Sequence, residues 1–268
     1  MTTSAPRVAG TLEARLRERR DAGRKLLVPY VTGGLGDDWL AAVEAIAAAG
    51  ADAIEIGLPF SDPMIDGPVV QEASVRALAG GATPTSILDT LSRVDAGGTP
   101  LAVMTYYNLV ARTGHRRIAS VLASSGVSGV IVPDLPADEI DPWKVEADAA
   151  GLETVLLAAP TTPDERLEMI VAKAAGFLYA VGVMGVTGER TSLAASATTI
   201  AARCKAITDL PVLVGIGITT PDQAVEVCKT ADGVVVGSAV VRRLLDGEGP
   251  DGVAKLVGSF REALDSIG

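Results

Sequence analysis

Short runs of apolar, largely β-branched residues recur along the chain, each followed by a longer stretch with helical periodicity. This alternation limits the fold more than any other feature. Eight such runs fall near residues 27–32, 53–57, 101–105, 129–132, 153–158, 177–181, 212–215 and 233–236. Most are apolar at every position, as parallel strands are when both of their faces are covered. The intervening segments carry helix-start residues: Asp37-Asp38 before Trp39, Thr83-Pro84, Thr162-Pro163-Asp164 and Thr220-Pro221-Asp222. No linker or low-complexity tract interrupts the series, and Gly249-Pro250-Asp251 reads as a turn before a final helix. Eight β-α units within 268 residues predict an α/β fold, a (β/α)8 TIM barrel with an extra N-terminal helix, as a single domain over residues 1–268.

Composition closes off several functions. Acidic residues outnumber basic ones 33 to 23, and a net charge of -10 disfavours nucleic acid and anionic membranes as partners. The basic cluster Arg15 to Lys25 reads as a solvated helix face. Residues 1–10 lack the apolar stretch of a secretory signal and no run is long enough to span a bilayer, so a cytoplasmic location is expected. Cys204 and Cys228 lack CxxC spacing and read as buried, reduced thiols, with no metal site. His115, the one histidine, reads as a surface residue.

Within the apolar run Ala53-Ile54-Glu55-Ile56-Gly57 stands one carboxylate, and a loop constrained by Pro59, Pro63 and Gly67 presents another, Asp66. An acid in such a strand needs a partner or a chemical task, because burying an unpaired charge is costly. A barrel places its chemistry at the C-terminal ends of its strands, where this sequence puts Glu55 and Asp66. Three glycine sites share that end: 182–190, Gly215-Ile216-Gly217 and Gly237-Ser238. Backbone N–H groups at glycine turns and at a helix N-terminus hold phosphate without a basic side chain. No P-loop or dinucleotide fingerprint occurs, so a small sugar-phosphate-like ligand is expected. Lys25 precedes the first strand and Lys144, Lys173, Lys205, Lys229 and Lys255 read as helical, which leaves no strand-end lysine for a Schiff base. Carboxylate chemistry remains, with Glu55, Asp66 and Tyr179 as its candidate groups.

The segment Ile54-Glu55-Ile56-Gly57-Leu58-Pro59-Phe60-Ser61-Asp62-Pro63-Met64-Ile65-Asp66-Gly67 resembles the signature of the tryptophan synthase alpha-subunit family. The resemblance continues through Val28-Pro29-Tyr30-Val31-Thr32, Tyr107-Asn108-Leu109, Gly185-Val186-Thr187-Gly188, Gly215-Ile216-Gly217 and Gly237-Ser238. It implies retro-aldol cleavage of indole-3-glycerol phosphate to indole and glyceraldehyde 3-phosphate, without a cofactor in this subunit. By the same resemblance Glu55 is the general acid/base, Asp66 bonds the indole N–H, and Tyr179 lies near the catalytic pocket. Gly188, Gly217, Gly237 and Ser238 would hold the phosphate, and Tyr30 and Ile216 would wall the indole. On its apolar strand Glu55 should protonate easily, whereas Asp66 in a polar loop should stay ionised. The partner implied is a pyridoxal-phosphate beta subunit in an alpha2beta2 heterotetramer, facing Pro59, Asp62, Pro63 and Asn108. Residues 183–192 would form a lid, in which Val183 and Met184 stand where some family members carry arginine and serine, with Arg190 as a substitute. Plain core packing stays open for Tyr30, Tyr179 and Ile216. Two other functions also stay open: a different phosphate-binding barrel enzyme, and a non-catalytic subunit that activates a partner.

Overall fold

The computed structural model describes residues 10–182, 190–215 and 217–267. Eight parallel strands close into a barrel in sequence order: β1 (Leu26–Thr32), β2 (Ile54–Gly57), β3 (Leu101–Met104), β4 (Val127–Ile131), β5 (Glu153–Ala158), β6 (Leu178–Val181), β7 (Val212–Gly215) and β8 (Gly233–Val236). The expected strands are all present, with ends moved by one or two residues. β4 begins at Val127, which pairs with Leu101 ahead of a register shift. β6 begins after Phe177, whose N–H is taken by Ala175 O in a local turn.

Alternation along each strand sorts the side chains. Val28, Ala53, Ala102, Ile131, Val155, Leu213 and Val235 fill the barrel, while Val31, Ile54, Val103, Val130, Val212 and Val234 pack outward in a second, larger cluster. Both faces are therefore apolar, which is why the strands read as continuous hydrophobic runs. Thr83 and Thr220 cap the helices Pro84–Leu91 and Pro221–Val227 with reciprocal capping boxes. Thr162 instead accepts the Ala159 N–H at 3.0 Å, and Pro163 takes the cap position of Asp164–Lys173. Gly249 and Pro250 already belong to the last helix, Gly249–Asp265, because proline in a first turn has no N–H to waste. That helix packs on Trp39–Ala48. Lys229 lies just beyond its helix, past the C-cap Cys228.

The N-terminal helix Thr11–Asp21 is less solvated than its charge suggests. Leu12 and Leu16 are fully buried among the barrel residues at the end away from the strand C-termini. Glu153, the first residue of β5, turns its carboxylate into that end and accepts the N–H groups of Leu12 at 2.7 Å and Glu13 at 3.1 Å. Those are donors that a helix start leaves without intrahelical partners. Glu13 in turn accepts from Gly176 N–H and from Arg17. Nearby, Asp52 accepts the Leu27 N–H and pairs with Arg24 and Arg261, and Asp232 accepts the Val212 N–H. The barrel floor is thus sewn shut by buried acids bonded to backbone.

Cys204 and Cys228 are free and buried, and burial pushes their thiols up to about 11 and about 12. His115 is only half-exposed: its ring bonds the Tyr107 hydroxyl at 3.1 Å and meets the edge of Trp143. Among the described residues no helix is long and apolar enough to cross a membrane.

Candidate active site

At the opposite end the same inward phase of the strands produces a cavity of about 480 Å³. Tyr30 from β1, Glu55 from β2 and Tyr179 from β6 point into it, Asp66, Gly217 and Gly237 join them from the loops, and Ser238 from the start of a helix. The candidate catalytic residues and three of the four phosphate glycines and serines are therefore brought together. Gly188, Ile216, Val183 and Met184 lie outside the described residues, as does the side chain of Arg190. The remaining described wall is apolar, with Met104, Ile131, Leu157 and Ile218 among its members, and among the described residues no lysine lines it. Among the described residues no cluster of His, Cys, Asp and Glu could hold a metal ion.

Room for the two phenol rings comes from glycine. A Cβ on Gly57 would sit inside the Tyr30 ring, and one on Gly215 inside that of Tyr179. The Thr32 hydroxyl donates to the Tyr30 hydroxyl at 3.5 Å. Burial and the carboxylates around them push both phenols upward, so they remain neutral and can donate hydrogen bonds but not act as bases.

Glu55 is 1% exposed, and among the described residues nothing bonds its Oε2. Burial, reinforced by the negative charge of Asp66, pushes its carboxyl up to about 8. It is therefore protonated at neutral pH and close to the point of release. Asp66 is half-buried, and burial raises its carboxyl as well, against the expectation of a fully polar loop. The neighbouring Tyr106 hydroxyl opposes that rise. Tyr106 escaped notice in the sequence because it stands next to a second tyrosine at the end of an apolar run.

The rim expected from the sequence to hold phosphate is built from backbone. Gly217 adopts φ +84°, and Gly237 precedes the helix Ser238–Leu245, whose first residue lines the cavity. Among the described residues a Cβ on Gly237 would meet nothing nearer than Tyr30 Cβ at 3.8 Å, so they leave room for a side chain there.

Around the mouth, Asp62 and Asn108 are exposed, Pro63 is half-buried and Pro59 is buried. Met64, 86% exposed, and Ile65 present apolar surface on the same loop. Tyr106 stacks on Phe60 with ring centroids 5.0 Å apart, which sets that loop against the start of the helix Tyr107–Thr113 that carries Asn108.

Comparison with known proteins agrees with this geometry. A family model described as tryptophan synthase alpha chain matches residues 16–262. The chain is similar to the tryptophan synthase alpha chain of Thermobifida fusca, 42% identical over 94% of this chain and 96% of that one. It is also similar to that of Geobacter sulfurreducens, 43% identical over 96% and 98%. Among solved structures, tryptophan synthase from M. tuberculosis in an aminoacrylate-bound form superposes with TM-score 0.86 at 34% identity, covering 96% of this chain and all (100%) of the matched one. The alpha subunit from Legionella pneumophila gives TM-score 0.86 at 32% identity, covering 97% and 100%. With a matching barrel and agreement over nearly its whole length, the chain belongs to the tryptophan synthase alpha-chain family, whose members cleave indole-3-glycerol phosphate in tryptophan biosynthesis.

Proposed function

We propose that cleavage in this chain is driven by Glu55 acting first as acid and then as base, with Asp66 as the fixed charge. The neutral Glu55 carboxyl gives its proton to the ring carbon that bears the glycerol chain, C3, which moves positive charge onto the indole nitrogen. Asp66 accepts a hydrogen bond from that N–H and stabilises the cation. The Glu55 carboxylate then removes the proton from the hydroxyl on the adjoining glycerol carbon. The carbon-carbon bond breaks, its electron pair returns to the ring, and the aldehyde forms. Glu55 ends protonated, as it began, so the cycle closes without a cofactor in this subunit.

Gly217, Gly237 and Ser238 are proposed to hold the phosphate. Tyr30 and Tyr179 face the reacting groups as neutral donors. Gly188 and Ile216 are proposed for the phosphate site and the indole wall respectively, and residues 183–192 for a lid, on the resemblance alone. The observation that carries the mechanism is Glu55: an inward carboxyl whose Oε2 has no partner among the described residues, pushed up to about 8 beside a second acid.

A beta subunit is the proposed partner, in an alpha2beta2 assembly, docking at the mouth over Asp62, Pro63 and Asn108, with Pro59 shaping the loop from within. Exposure of Met64 and Ile65 beside those residues supports that reading. A cytoplasmic location is proposed from the acidic net charge and from membership of a biosynthetic enzyme family.

The test mixes the full chain with indole-3-glycerol phosphate and follows indole, with and without a beta-type partner. Glu55→Gln should fold, bind the partner and release almost no indole; near-normal turnover would sink the mechanism.

A further inference from the structure

We propose that Tyr106 is a positioning residue for Asp66, with its ring and hydroxyl together fixing the carboxylate where an indole N–H would meet it. The inference rests on the reading that Asp66 bonds that N–H.

The loop between β2 and the helix Pro68–Ala79 is largely open to solvent, with Ser61, Asp62 and Met64 exposed. At its start Leu58 is tied to the barrel through Met104 O at 2.9 Å, and at its end Gln71 Nε2 donates to Asp66 O at 2.7 Å. Between these points Tyr106 is the side chain that spans the gap. It follows Thr105, whose N–H is still bonded to Ile131 O at 3.0 Å, so its backbone moves with the barrel. The residue is 3% exposed. Its ring stacks on Phe60 at 5.0 Å and 26°, and its hydroxyl accepts the Ile65 N–H at 3.2 Å. Having accepted that bond, the hydroxyl has its own proton left to offer, and the neighbouring Asp66 carboxyl feels it: the Tyr106 hydroxyl holds that carboxyl lower than burial alone would. One side chain therefore grips the loop at residues 60 and 65, immediately ahead of Asp66. A hydrogen bond to a carboxylate also keeps it ionised, the state in which it can receive an N–H and stabilise a cation.

The experiment compares wild type, Tyr106→Phe, Phe60→Leu and Asp66→Asn in the full chain, measuring kcat and KM for indole release across pH. Tyr106→Phe keeps the stack and loses only the hydroxyl. Its kcat should fall about 10- to 100-fold, in line with one hydrogen bond to a charged group, with little change in KM. The acid limb of kcat/KM should also move to higher pH. Among the described residues the titratable groups facing Asp66 are Glu55 on β2, Tyr30 on β1, Tyr179 on β6 and Tyr106 itself, and only the last is altered. A purely structural role would leave that limb in place. Phe60→Leu should lower kcat without moving the limb, and tests the ring contact separately should Tyr106→Phe fold poorly. Titration of the Asp66 carboxyl carbon by NMR reads the same shift without turnover.

Wild-type kcat and an unmoved limb in Tyr106→Phe, with Asp66→Asn inactive, would overturn the role of Tyr106 and leave that of Asp66 standing. A fully active Asp66→Asn would overturn both.

Discussion

Two glutamates on barrel strands point inward, and their surroundings give them opposite tasks. Glu153 meets the N–H groups of a helix start, whereas Glu55 meets a cavity and another acid. Both look alike in sequence, an acid in an apolar strand, and only Glu55 was legible as chemical, through the Asp66 that follows it. Glu153 was passed over because what satisfies it comes from a helix more than 130 residues away in sequence. The apolar wall residues Met104, Ile131 and Leu157 were illegible for another reason, since facing a ligand and facing a core demand the same side chains. Because Glu55 must begin protonated, kcat/KM should fall as pH rises past about 8, measured as indole release over pH 6 to about 10. The same shift bears on stability. The folded carboxyl keeps its proton up to about 8 while the unfolded one loses it near 4.5, so the native state binds the extra proton and loses stability as pH rises between those values. Glu55→Gln should therefore melt higher than wild type, by a margin that grows on the order of 2 kcal/mol from pH 6 to pH 9 in calorimetry. Gly237→Ala should leave the melting temperature in place, since its Cβ has room, yet raise KM by crowding the phosphate.

At the scale of elements, the strands were legible because both of their faces are apolar, and the helix starts because threonine caps advertise themselves, as at Thr83 and Thr220. The N-terminal helix was misjudged from its charge. Its arginines do face outward in part, but Leu12 and Leu16 recur at helical spacing and bury completely. Its start is held by a side chain from β5, not by a local cap. Glu153→Ala should thus cost about 1–3 kcal/mol in urea unfolding, from the lost cap and the vacated space, while kcat and KM stay at wild-type values because the cavity lies at the other end. A large loss of activity in that variant, at a temperature where it is fully folded, would contradict the separation of floor from site.

For the molecule as a whole, the closed order β1 to β8 was legible from the count of β-α units, since eight parallel strands leave no free edge when they close. We read the chain as one cooperative domain, because the first helix packs under the barrel and the last packs on Trp39–Ala48. Trp39 is 6% exposed and Trp143 fully buried, so their fluorescence and far-UV circular dichroism should report one coincident urea transition; separate midpoints would argue for two units. The sealed floor also sets the traffic. With Leu12, Leu16 and Phe177 filling one end, the barrel is a cul-de-sac among the described residues, and its cavity opens at the other end, the doorway for substrate and products. Departure of either product must then precede the next arrival, so indole and glyceraldehyde 3-phosphate should compete with fresh substrate, and whatever sits across that doorway governs the queue.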